Sequence, residues 1–88
     1  MIATQTPTDK ELVVAFKTGD MVAYAEIMRR HQDLVYSAAF ARKADKDAAS
    51  ELTIKTFMHF WNNRTKIHPD TMLRTYFCNK VYELSNAR

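Results

Sequence analysis

One glycine among 88 residues leaves little room for several kinds of chemistry. A Walker loop or a dinucleotide fingerprint needs at least two glycines at fixed spacing, so neither is present. With only two prolines as well, the chain argues against a turn-rich β fold and for a bundle of helices. Cys78 is alone, which excludes an internal disulfide. No run of about 18 apolar residues occurs, so no membrane span is expected. The segment Met1-Ile-Ala-Thr-Gln-Thr-Pro7 lacks the basic and apolar parts of a signal peptide. These absences together predict a cytoplasmic protein.

Catalytic and metal signatures are also missing. His31, His59 and His68 show no metal-ligand spacing, and one cysteine cannot complete a set. No serine or cysteine stands in the context of an activated nucleophile. The expectation is a binding domain without catalysis, cofactor or metal. His31 is expected to be a core-edge histidine with a satisfied hydrogen bond, and Cys78 a small half-buried side chain.

Length and composition fit one domain with a modest core. The formal charge is +3, from 13 basic and 10 acidic residues, and its distribution is uneven. Residues 1–54 hold seven basic and eight acidic side chains, while residues 55–88 hold six and two. The positive field sits in the last third, as expected if that end meets a polyanion.

Periodicity predicts four helices after a flexible tail over residues 1–7. Thr8-Asp-Lys-Glu11 is a capping box that opens the first helix. Leu12, Val13 and Phe16 give that helix its apolar stripe, and Gly19 is placed to end it. Asp20 then caps a long second helix reaching about Arg42. Tyr24, Ile27, Met28, His31, Leu34, Val35, Ala38 and Ala39 share one face of it, and Tyr36 and Phe40 another. Two apolar faces predict a central helix packed on both sides, with a bend near His31–Gln32 left open. A polar link, Lys43-Ala-Asp-Lys-Asp47, carries the cap of the third helix at position 45 or 47. Pro69 and Asp70 are expected to open the last helix, which runs to about Ser85. Leu73, Tyr76, Phe77, Val81 and Leu84 form its core face. Lys80 interrupts that face, with Glu83 in reach of its ammonium.

The third helix carries the strongest functional signal. Ala49, Leu52, Thr53, Thr56, Phe57 and Phe60 fall within an arc of roughly 140°, with Trp61 at its edge, and supply a core face. Glu51, Ile54, Lys55 and Met58 gather outside that arc. Two large apolar residues flanked by opposite charges suit a face that meets a partner.

Arg29-Arg-His-Gln-Asp-Leu-Val-Tyr36, then Asp47-Ala-Ala-Ser-Glu-Leu52, then Thr56-Phe-Met-His-Phe-Trp61 resemble the second conserved region of extracytoplasmic-function sigma factors of bacterial RNA polymerase. The resemblance runs from near Asp9 to about Leu84. It implies an all-α, sigma region 2-like domain over residues 8–88 that acts in transcription initiation. In that family the third helix docks on the beta-prime coiled coil of core RNA polymerase. The family's docking pattern is acidic-Leu-x-Gln-Glu followed by an apolar-Phe pair. Glu51, Leu52, Phe57 and Trp61 match it, while Ile54 and Lys55 stand at the glutamine and glutamate positions. The resemblance thus implies a polymerase-binding set of Glu51, Ile54, Lys55 and Met58.

The loop over residues 62–69 and the last helix correspond to the parts that open and read the promoter −10 element. Arg64 and Lys66 are the implied phosphate contacts of the loop. Tyr82 and Glu83 stand where the family has an Arg-Asn pair. Tyr82 is suited to stacking on a base, and Arg74, Lys80 and Arg88 to holding phosphates. The family's second DNA-binding domain is not in this sequence, which reads as the excised first domain of a longer protein or else as a short divergent relative, with excision favoured. The alternative is a sigma-like interaction module that binds an anti-sigma factor or itself and no longer reads DNA. Ile54, Lys55 and Glu83, each a departure from the family's contact chemistry, favour that alternative.

Overall fold

The computed structural model describes residues 6–86 and is all-α. Four helices follow one another: α1 (Asp9–Lys17), α2 (Met21–Lys43), α3 (Lys46–Asn62) and α4 (Leu73–Asn86), with a single 3-10 turn, Arg64–Lys66, before α4. Of the tail expected over residues 1–7, residues 1–5 lie outside the described residues, and Thr6 and Pro7 are exposed and irregular. No helix among the described residues is long and apolar enough to cross a membrane.

The helix starts follow from local chemistry. Thr8 and Glu11 form the reciprocal capping box, Thr8 N–H donating to Glu11 Oε1 at 2.8 Å and Glu11 N–H to Thr8 Oγ1 at 3.1 Å. Asp20 Oδ1 accepts from the Val22 and Ala23 N–H groups and opens α2. Asp45 performs the same task for α3, accepting from Ala48 N–H at 2.8 Å. Two left-handed residues mark helix ends: Gly19 after α1 (φ +93°) and Ala44 after α2 (φ +53°).

α2 is the common wall of the bundle, packed on α1, α3 and α4. It runs unbroken past His31 and Gln32. Ala23, Ile27, Val35 and Ala39 are its fully buried side chains. Of the second apolar face, Tyr36 is half-buried and Phe40 remains exposed, with their rings 6.2 Å apart. The core is aromatic at its centre. The Phe60 ring of α3 stacks on Phe16 of α1 at 4.3 Å and meets Phe77 of α4 edge-on at 4.9 Å. Val13, Phe16, Ile27, Val35 and Phe60 are fully buried around this contact.

α1 is held across α2 by charge as well as by its apolar stripe. Asp9 accepts hydrogen bonds from Arg30 at 3.3 Å and from His31 at 3.1 Å, so His31 is the core-edge histidine that its position predicts. Arg30 also donates to Glu26 at 2.8 Å, and Arg29 to the same carboxylate at 2.6 Å.

Two sequence expectations are corrected. The last helix starts at Leu73, not at Pro69 and Asp70. Thr71 N–H donates to the His68 carbonyl at 2.9 Å, closing a turn with Pro69 and Asp70 at its centre. Proline is as well suited to the second position of such a turn as to a helix start. Buried Ile67 pins the chain to the core just before it. Asp70 pairs instead with Lys10 of α1 at 3.1 Å. The second correction concerns Cys78, which is exposed. At 100° per residue it lies outside the arc shared by Leu73, Phe77 and Val81.

Candidate functional site

Glu51, Ile54, Lys55 and Met58 are all exposed and share the outward face of α3, opposite the core face that holds Leu52, Thr56, Phe57 and Phe60. Ile54 is 59% exposed and Met58 57%, high values for large apolar residues this close to a well-packed core. Glu51 and Lys55 form no ion pair among the described residues.

α2 adds a second wall, in which Tyr24 and Met28 are residues whose periodicity assigns them to the core. Tyr24, Met28 and Gln32 line a shallow apolar groove with Ile54 and Met58. Met21 and Tyr24 line another with Met58, Trp61 and Asn62. The hydroxyl of Tyr24 donates to the Phe57 carbonyl at 2.7 Å and fixes the ring between the two grooves. Burial raises the pKa of that hydroxyl, so it stays a donor at neutral pH. Tyr24 and Met28 do pack against the core, and their outer edges remain accessible. Met21 falls in the same arc of α2 as Met28 and Ala39 yet is exposed, so periodicity alone does not mark this wall.

The cations implied as nucleic-acid contacts are in unequal states. Arg64 is engaged inside the fold. Its guanidinium lies over the Trp61 ring at 4.2 Å, and Nη1 donates to the Trp61 carbonyl at 3.1 Å. Lys80 is mostly covered, with its ammonium 3.0 Å from Glu83 and 5.5 Å from the centre of the Tyr76 ring. Lys66 and Arg74 are exposed and make no ion pair among the described residues. Tyr82 is 55% exposed, and one face of its ring carries the Arg42 guanidinium at 4.5 Å. Arg42 is not among the expected cations. It reaches α4 from the end of α2 and also donates to Ser85 and Asn86. Arg88 lies outside the described residues.

The loop that bears Lys66 is anchored to the fold at Ile67. Lys17, at the end of α1, donates to the Ile67 carbonyl at 2.7 Å, and Ile67 itself is buried. The two exposed cations, Lys66 and Arg74, thus stand on either side in sequence of the point where Ile67 ties the chain to the core. The five implied contacts among the described residues do not form one patch. On α4, Lys80 is turned about 120° from Arg74 and about 160° from Tyr82.

Among the described residues, no group of three or more His, Cys, Asp or Glu side chains is placed to hold a metal ion. No family model, curated protein or solved structure matches the chain.

Proposed function

We propose that the chain is a sigma factor region 2-like domain that docks on core RNA polymerase through the outward face of α3 and contacts the opened −10 element through the loop before α4. One observation carries the reading: Ile54 and Met58 stand exposed beside the opposite charges of Glu51 and Lys55, on a helix whose other face is fully committed to the core. The motif order along α2 and α3 and the all-α architecture support it. Lys66 and Arg74 are the cations left for phosphates, with Tyr82 as a stacking surface. An anti-sigma factor would compete for the same α3 face.

A second reading, a protein-interaction module that does not read DNA, is favoured by the engagement of Arg64 with Trp61 and of Lys80 with Glu83. Two titrations separate them. Binding of purified core polymerase to the labelled domain is expected to weaken at least about tenfold in Ile54→Asp, since a carboxylate replaces a central apolar contact. Binding of the polymerase–domain complex to a promoter fork with a single-stranded −10 element is expected to depend on salt. Lys66→Glu with Arg74→Glu should lower that slope by about 1.4, at about 0.7 for each phosphate no longer neutralised. An unchanged slope would leave the interaction module as the reading, and polymerase binding insensitive to Ile54→Asp would remove the docking face.

A further inference from the structure

The exposed face of α3 has two unlike flanks. Toward α2 it is apolar: Ile54 and Met58 border the groove with Tyr24 and Met28. Toward α4 it is charged: Glu51 and Lys55 border a small polar cleft with Lys43 and Leu84. Glu51 and Lys55 are opposite in sign, one helical turn apart and unpaired among the described residues. Along the charged flank an acid precedes a base by one turn, an order complementary to itself read backwards.

We propose that this face pairs with the same face of a second copy of the chain, α3 antiparallel to α3, about a two-fold axis beside Ile54. An antiparallel two-fold keeps each flank on its own side of the interface. The apolar groove of one copy then faces the apolar flank of the other, and Glu51 faces Lys55 of the partner subunit. With Ile54 on the axis, these two side chains are offset by two helical positions, about 3 Å along the helix, which long side chains span. The contact repeats in reverse, as every isologous contact does, so each dimer holds two such ion pairs. A parallel pair would exchange the flanks and set the charges against the groove, where they would lose water without gaining partners. Met21, Met28 and Met58, unbranched and adaptable, let the grooves close on an approximate fit.

The dimer stands on the geometry of this face alone. Its consequence rests on the reading given under Proposed function: a second copy and polymerase would occupy the same residues, so the dimer is the form that cannot dock.

Sedimentation velocity on the purified full chain, without polymerase, tests the pairing. Wild type is expected to shift from monomer to dimer as concentration rises. Glu51→Lys alone and Lys55→Glu alone each turn two attractive contacts into two repulsive ones and should weaken the dimer about tenfold or more. An equimolar mixture of the two single variants restores both ion pairs between unlike copies. It is expected to dimerise where neither variant does alone, with circular dichroism showing that both keep their helices. A wild type that stays monomeric to its solubility limit would overturn the proposal. So would a dimer indifferent to both reversals, or a mixture no better than its components. Polymerase binding, measured on dilute monomer, fails or succeeds independently of all these outcomes.

Discussion

Two residues close their helices with left-handed backbone, and they differ in what that costs. Gly19, at φ +93°, has no Cβ, whereas Ala44 holds φ +53° with one. A Cβ built on Gly19 would meet nothing nearer than Arg64 Nε at 4.0 Å, so a substitution there is opposed by backbone strain rather than crowding. Gly19→Ala is expected to destabilise the domain by about 1–2 kcal/mol. Ala44→Gly relieves strain of the same kind and gives part of it back to the more flexible unfolded chain, for a net gain of up to about 1 kcal/mol. Urea midpoints moving in opposite directions at constant slope would bear this out; movement in the same direction would contradict it. Gly19 announces its role in the sequence because nothing else in the chain is glycine. Ala44 carries no such mark, since its conformation is imposed by the packing of α2 against α3 across a very short link. His31 is legible from its place at the edge of an apolar stripe, and the exposure of Cys78 is equally legible, since it falls outside the arc of Leu73, Phe77 and Val81.

At the scale of elements, an ion cluster within α2, joined to α1 through Arg30 and Asp9, makes stability depend on pH. Hydrogen bonds from Arg29 and then Arg30 lower the pKa of Glu26 from 4.5 to about 2. The unfolded chain thus binds more protons than the folded one between those two values. The stabilisation from Glu26 is complete above about pH 4.5 and is lost as pH falls toward about 2. Because the carboxylate is half-buried at the surface and stays in contact with solvent, the effect is screened and modest. Glu26→Gln should make the acid-side decline in unfolding free energy shallower within this window, as urea titrations at a series of pH values would measure. Parallel declines in the two proteins would mean that the Arg29–Glu26–Arg30 cluster is not coupled to folding. The helix boundaries show how far local rules reach. Thr8, Asp20 and Asp45 begin helices as their side chains predict, since a cap is satisfied within three residues. Pro69 and Asp70 do not, because the same pair suits a turn equally well. The burial of Ile67, a tertiary event, decides between the two.

For the molecule as a whole, stability is concentrated where three helices meet around Phe60. Removing that ring leaves a cavity between Phe16 and Phe77, and Phe60→Ala is expected to cost about 3–5 kcal/mol. That is a large share of the roughly 5–15 kcal/mol that a domain possesses. Ile54→Ala, on the opposite side of the same helix, should change stability by no more than about 0.5 kcal/mol. Equal losses for the two would show that the α3 faces are misassigned. The architecture and the two faces of α3 are legible in the sequence because both follow from the 3.6-residue period. The groove is only half legible: Tyr24 and Met28 satisfy the core and the surface at once, and periodicity records only the first. Among the cations, the pairing of Lys80 with Glu83 can be foreseen from their spacing of three. The engagement of Arg64 with Trp61 cannot, because it depends on how the chain turns after α3.

The hydrogen bond from Lys17 to Ile67 joins positions fifty apart in sequence. The link between α2 and α3, by contrast, is only Ala44 and Asp45. Contacts that close short loops form early, and those that close long ones wait for the rest of the chain. The α2–α3 hairpin is therefore the natural nucleus, and the seating of α1 against the loop a late event. Lys17→Met should accordingly speed unfolding and leave the refolding rate nearly untouched, a φ-value near zero in stopped-flow kinetics. The loop that presents Lys66 would then be the last part of the molecule to take shape and the first to let go.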